Sequence, residues 1–155
     1  MTDDDLTRNL SGHIADLEHH LPIRIYYEDT DFSGVVYHAN YLKYFERGRS
    51  EYMRLLGVHH HQLAELDDPL AFAVAEITIR YKAPARIDEL VTVRSRLLSA
   101  RGASFVIDQS VERGRQVLAA GRVHVVCIDG QGRPKRLAKH LMDVLKTHIV
   151  PENVA

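Results

Sequence analysis

Glu28, Asp29, Asp31, Gly34 and His38 place three carboxylates, a turn-forming glycine and an imidazole within one short stretch of the chain. A carboxylate can take a proton from water or attack an electrophilic carbon itself, and general-base help of this kind is worth ~10²–10⁴-fold. Carbonyl chemistry also needs donors for the oxygen that becomes an oxyanion. A helix start supplies them, because its first N–H groups are unpaired and carry about half a positive charge. Each well-aimed donor contributes ~3–4 kcal/mol. The run from His38 to Leu56, closed by Gly57, reads as such a helix. Acid, donors and imidazole therefore converge at its N-terminus. Two other readings stay open. Asp29 and Asp31 can serve as turn and helix caps, a common use of aspartate. Asp29-x-Asp31-x-Ser33-Gly34 also copies the first half of a calcium loop, but its twelfth place holds Asn40 where a bidentate Glu belongs.

The elements that must hold these residues follow from pattern. A first strand is predicted from Pro22 to Glu28 and a turn from Asp29 to Gly34. At ~100° per residue, Lys43, Arg47, Ser50, Glu51 and Arg54 gather into one narrow polar stripe on the helix. The rest of its girth is largely apolar, so a curved sheet should wrap it. Gly48, which costs ~1 kcal/mol against Ala in a helix, marks a close backbone approach to that sheet. From Ala71 the period becomes two, with odd positions inward: Ala71, Ala73, Ala75, Ile77, Ile79, Tyr81. Alternation recurs around Val91–Leu97, Phe105–Val111 and Val117–Cys127. Short turns at Arg101-Gly102, Arg113-Gly114 and Asp129–Gly132 make these strands antiparallel neighbours. Leu137–Ile149 reads as a closing helix, and residues 1–20 as a flexible arm or short surface helix ahead of one domain at 21–150.

Glu46 and Arg49 fall three apart on the apolar side of the helix, as an internal ion pair or a buried acid with catalytic use. His59-His60-His61 are consecutive and cannot face one metal from one helix face, which makes them a solvated loop. His124 reads as a surface or interface residue and Cys127 as core. Nucleophile-elbow, P-loop, dinucleotide and paired-histidine zinc motifs are missing. In 155 residues, 20 Lys+Arg balance 21 Asp+Glu, so no basic excess points to nucleic acid. One cysteine excludes an internal disulfide, and no apolar run reaches the ~20 residues of a membrane span. The acidic start (Asp3, Asp4, Asp5) is unlike a secretory signal, so a cytoplasmic location is expected.

Tyr27-Glu28-Asp29-Thr30-Asp31, Gly34 to Tyr41 and Glu46-Arg47 resemble the signature of the 4-hydroxybenzoyl-CoA thioesterase family, most of all its branch of Tol-Pal-associated acyl-CoA thioesterases. The likeness continues through Tyr81, Ala83-Pro84-Ala85-Arg86 and Arg101-Gly102-x-Ser104. The resemblance implies an α+β hotdog fold, an antiparallel sheet wrapped around one long helix. It implies hydrolysis of an acyl-CoA thioester, of a short aliphatic acyl group first and an aromatic one as the alternative, without cofactor or metal, in a homodimer or a homotetramer built as a dimer of dimers. Asp31 matches the catalytic acid, as general base or nucleophile, and His38 supplies the backbone donor and an added imidazole. Tyr27, Gly34, Val35, Arg101 and Ser104 match substrate-binding positions, with Arg101 in a turn that contacts coenzyme A phosphates. Arg80, Lys82, Arg86, Lys135 and Arg136 are further cations available to those phosphates. An acyl carrier protein or an envelope complex is an expected association. A non-catalytic acyl-CoA or acyl-carrier-protein binding or scaffold protein of the same fold is the alternative, and a hydratase would need a different acid and histidine arrangement.

Overall fold

In a computed structural model describing residues 2–151, the chain runs α1 (Asp3–Ser11), β1 (His13–Ala15), β2 (Glu18–Arg24), α2 (Asn40–Leu55), α3 (His60–Ala64), β3 (Ala71–Tyr81), β4 (Leu90–Arg101), β5 (Ser104–Arg113), β6 (Gln116–Ile128) and α4 (Lys139–His148). The strands form one sheet in the order β1-β2-β4-β5-β6-β3, and every neighbouring pair is antiparallel. Turns fall at residues 102–103 and 114–115, as their glycines predict. The inner face carries Val91, Val93, Leu97, Phe105, Ile107, Val111, Val123 and Val125, all buried. Against it α2 buries Tyr41, Tyr44, Phe45, Gly48, Tyr52 and Met53. Each large side chain so buried contributes ~1.5–3 kcal/mol, and together they fix the helix on the sheet. Gly48 lies at the closest approach: a Cβ there would sit 2.7 Å from Val93 Cγ1. No helix among the described residues is long and apolar enough to cross a membrane.

Several sequence expectations shift. The strand predicted from Pro22 to Glu28 is β2, which starts at Glu18 and ends at Arg24 with β1 ahead of it, and Tyr27–Asp29 form a 3-10 turn rather than its end. The boundary drawn at residue 20 therefore cuts through the sheet. Its inner row begins with His19, which is fully buried, and continues with Leu21, Ile23 and Ile25. A histidine in that row hides the alternation from a hydropathy reading. In β3 a bulge at Ala75 reverses the parity ahead of it. Phe72 and Val74 pair with the inward Cys127 and Val125, so they share a face with Ile77 and Ile79. The α2 girth is only partly covered, since Leu42 and Leu55 each remain 40% exposed. One sheet from one chain wraps one side of the helix.

Candidate active site

Where β2 leaves the sheet, the chain folds into a small loop stitched by its own backbone. Asp31 N–H donates to Val35 O at 2.9 Å, and Gly34 N–H to Asp31 O at 3.0 Å. Gly34 has φ +82°, a left-handed conformation that only glycine takes without strain. Thr30 and Val36 bridge across the loop, and Val35 bridges to Arg86. Val36 N–H also donates to Ala85 O at 2.9 Å, so the Ala83–Arg86 segment carries the loop.

Asp31 is exposed at the tip of this loop. Its Oδ1 accepts from the backbone N–H of Ser33 at 2.8 Å and from the Ser33 hydroxyl, while Oδ2 has no partner among the described residues. The Ser33 hydroxyl, then the Ser33 N–H, and more weakly the nearby His38 hold the Asp31 carboxyl below the usual carboxylate range, against a small opposing effect of burial. Capping thus occupies one of its two oxygens and leaves the other available. Asp29, in contrast, is consumed by structure. Its Oδ2 accepts from Tyr26 N–H at 2.7 Å, and its carbonyl accepts from Tyr37 N–H and Asn40 Nδ2. Those last bonds tie the loop to the first turn of α2.

The helix start is open. Ala39 takes the capping position in helical conformation and offers no side-chain cap. Neither His38 N–H nor Ala39 N–H has a hydrogen-bond partner among the described residues. The His38 carbonyl is held by the Tyr81 hydroxyl, which donates at 2.9 Å from the end of β3. Tyr41 OH accepts from Ala85 N–H at 3.1 Å and fixes the same segment from within the core. Tyr81, Tyr41, Asn40 and Asp29 are therefore positioning residues that a search for reactive groups passes over. Their signal in the sequence is the density of Tyr, Asn and Asp around the loop, which specifies no partners.

Asp31, His38, Gly34 and Val35 are brought together, with Tyr27 83% exposed on the adjoining 3-10 turn. Arg101 and Ser104 are not. They face each other across the β4–β5 hairpin, where Ser104 Oγ donates to Arg101 O at 3.3 Å. The Asp31 loop sits by the other end of β4, where Ile25 N–H donates to Glu89 O. The 12 residues of β4 separate the two ends by on the order of 35 Å at ~3.3 Å per residue. Among the other cations, Arg80, Lys82, Arg86 and Arg136 are exposed, whereas Lys135 pairs with Asp68.

Glu46 and Arg49 do not form the expected ion pair. Glu46 is exposed and accepts from Ser50 Oγ at 2.8 Å, while Arg49 Nη1 donates to Gln109 Oε1 at 3.1 Å. The histidine run is not a free loop either: His60 and His61 open α3, and the His60 ring meets Phe72 edge-on at 5.9 Å. Cys127 is buried, and burial pushes its thiol up.

One antiparallel sheet packed on a central helix, with an acid loop at the helix start, is the hotdog architecture. Residues 26–152 match the thioesterase-like superfamily. The acyl-CoA thioester hydrolase YbgC of Escherichia coli O6:H1 is 40% identical over 129 residues, covering 81% of this chain and 93% of that protein. The acyl-CoA thioesterase YbgC of Haemophilus influenzae is 40% identical over 121 residues, 77% of this chain and 88% of that protein. Among solved structures, a probable thioesterase from Bartonella henselae superposes with a TM-score of 0.76 at 41% identity, covering 78% of this chain and 99% of its own. The chain belongs to the thioesterase-like superfamily and is a hotdog-fold thioester hydrolase.

Proposed function

We propose that this chain hydrolyses acyl-CoA thioesters, with Asp31 as general base or nucleophile and the His38 N–H as the donor to the carbonyl oxygen. The observation that carries the reading is the open helix start: an N–H at His38 with no partner among the described residues, near a carboxylate of which they bind only one oxygen. The relatives named as acyl-CoA thioester hydrolases support the substrate class. Placement in the Tol-Pal-associated branch belongs to the same proposal and rests on the motif at 27–41.

A thioester carbonyl has weak resonance and a good thiolate leaving group, so two groups suffice. The backbone donors and the half-charge of α2 stabilise the developing oxyanion. Ionised Asp31 either draws a proton from water as it attacks the carbonyl carbon, or attacks directly and yields an anhydride that water then opens. In both routes coenzyme A leaves as the thiolate and takes up a proton. The His38 imidazole orients the acid or the water.

Arg86, bridged to Val35, and Arg80 and Lys82 on either side of Tyr81 are cations of the same copy near the loop, whereas Arg101 stands at the far end of its own sheet and reaches this coenzyme A only from a second copy. β3 is an edge strand, and one of its sides presents unpaired backbone groups over 11 residues. Antiparallel pairing of two such edges places the Arg101 end of one copy beside the Asp31 end of the other. The proposed unit is therefore a dimer joined along β3.

Asp31→Asn is expected to lower kcat on acyl-CoA by ~10²-fold or more, with circular dichroism and native mass unchanged. Turnover near the wild-type rate in that variant would assign the acid to another residue, Glu46 first.

A further inference from the structure

Away from the Asp31 loop, the middle of α2 and the inner face of the sheet enclose a cleft of about 60 Å³. Its buried side is apolar, with Met53, Phe105 and Val125 beside the half-buried Phe72, and its polar lining is Glu46, Arg49, Ser50 and His60, the His60 ring being spent edge-on against Phe72. Arg49 is half-buried, yet it spends one N–H on Gln109 and forms no ion pair with Glu46 among the described residues. Glu46 has one oxygen engaged by Ser50 and the other without a partner among the described residues. A donor and an acceptor thus flank one opening without satisfying each other.

The chemistry of this polar lining selects what can enter. A simple alkyl chain would strip water from the Arg49 guanidinium and return no hydrogen bond. A carboxylate would meet Glu46. A hydroxyl suits both, accepting from Arg49 and donating to Glu46. The buried side leaves room for an apolar end: at ~10–15 Å³ for each water-sized group, the cleft holds about four non-hydrogen atoms.

We infer that this cleft receives the distal part of the acyl group and selects chains that carry a hydroxyl followed by a short alkyl tail, with Arg49 and Glu46 reading the hydroxyl. The inference rests on the acyl-CoA hydrolysis proposed above. Reach decides which copy supplies the cleft. Glu46 lies six residues into α2, about 9 Å along the axis at 1.5 Å per residue, too far for a hydroxyl near a thioester held at His38. With two β3 edges paired antiparallel about their middle and the bulge at Ala75 counted, Phe72 of the partner subunit falls opposite Ile79, on the same face and two residues from Tyr81, and hence near His38. The cleft of one copy serves the acid of the other.

The test compares kcat/KM for 3-hydroxyhexanoyl-CoA and hexanoyl-CoA. Wild-type protein is expected to prefer the hydroxylated thioester by about tenfold or more. Arg49→Met should lower that ratio by ~10–100-fold, and Arg49→Lys should keep part of it. Should Arg49→Met fail to fold, Glu46→Gln, at an exposed position, reads the same ratio. Equal rates on the two thioesters, or variants that depress both alike, overturn the inference and leave Arg49 a support for Gln109. Absence of hydrolysis of either compound overturns the underlying reading as well. In mixed dimers of Asp31→Asn and Arg49→Met chains the preference should return, since one composite site then holds both native residues. A preference that stays lost would put cleft and acid in one chain and overturn the arrangement.

Discussion

Asp31 shows how one side chain can hold a turn and still keep a carboxylate oxygen for the chemistry proposed above. Ser33 binds Oδ1 and closes the turn, and the same two bonds keep the carboxyl ionised. A cap and a base are therefore compatible at one residue, and type and spacing alone do not separate them. Gly48 raises the same question for packing. Alanine there would gain ~1 kcal/mol of helix propensity, but its Cβ would press on Val93 Cγ1 at 2.7 Å and Gln109 Nε2 at 3.0 Å. Overpacking in a filled core costs ~1–3 kcal/mol, and here the neighbours are held by the sheet. Gly48→Ala is expected to be destabilised by about 1–2 kcal/mol in urea unfolding; a higher midpoint than wild type would show that the sheet yields.

The element that departs furthest from its sequence pattern is the N-terminal unit of α1, β1 and β2. It is anchored by His19, whose Nε2 donates to Ser11 O at 2.7 Å and whose ring lies 5.3 Å from that of Tyr52. His19 Nδ1, Ser11 Oγ and Tyr52 OH are buried there without hydrogen-bond partners among the described residues. Burial pushes the His19 pKa below its ordinary 6.5, and the Ser11 carbonyl and Glu51 only partly offset this. The fold therefore favours neutral imidazole, whereas the unfolded chain protonates near 6.5. That contribution is complete above pH ~6.5 and is lost as pH falls from there towards the folded-state value. Melting temperature should drop on acidification from pH 7 to 5.5. His19→Gln, which can donate to Ser11 but does not titrate, should flatten the slope, and an unchanged slope would move the effect to another group such as His20.

At the scale of the whole molecule, α2 and β3 both point to a second copy. Leu42 and Leu55 of α2, and Val74 and Tyr81 of β3, are apolar and 40–47% exposed in the single chain. Sedimentation at micromolar concentration is expected to give a mass of two chains or a multiple of two, and Val74→Lys should shift it to one. A monomeric wild type would remove the paired-edge arrangement. A sheet packed on one long helix, and the loop that carries the acids, were legible in the sequence because they rest on local signals: period two with glycine turns, one apolar helix, and a dense motif of short-range contacts. The hotdog assignment came from the resemblance of that motif. Alternation could not show that His19 lies in a core row or that a bulge at Ala75 turns Phe72 and Val74 inward, because both depend on which strand lies alongside. The separation of Arg101 from Asp31 and the bond from Tyr81 to His38 were likewise settled by tertiary structure. Side chains that meet through the sheet are distant along the chain, and local sequence encodes which face a residue takes but not what it will find there.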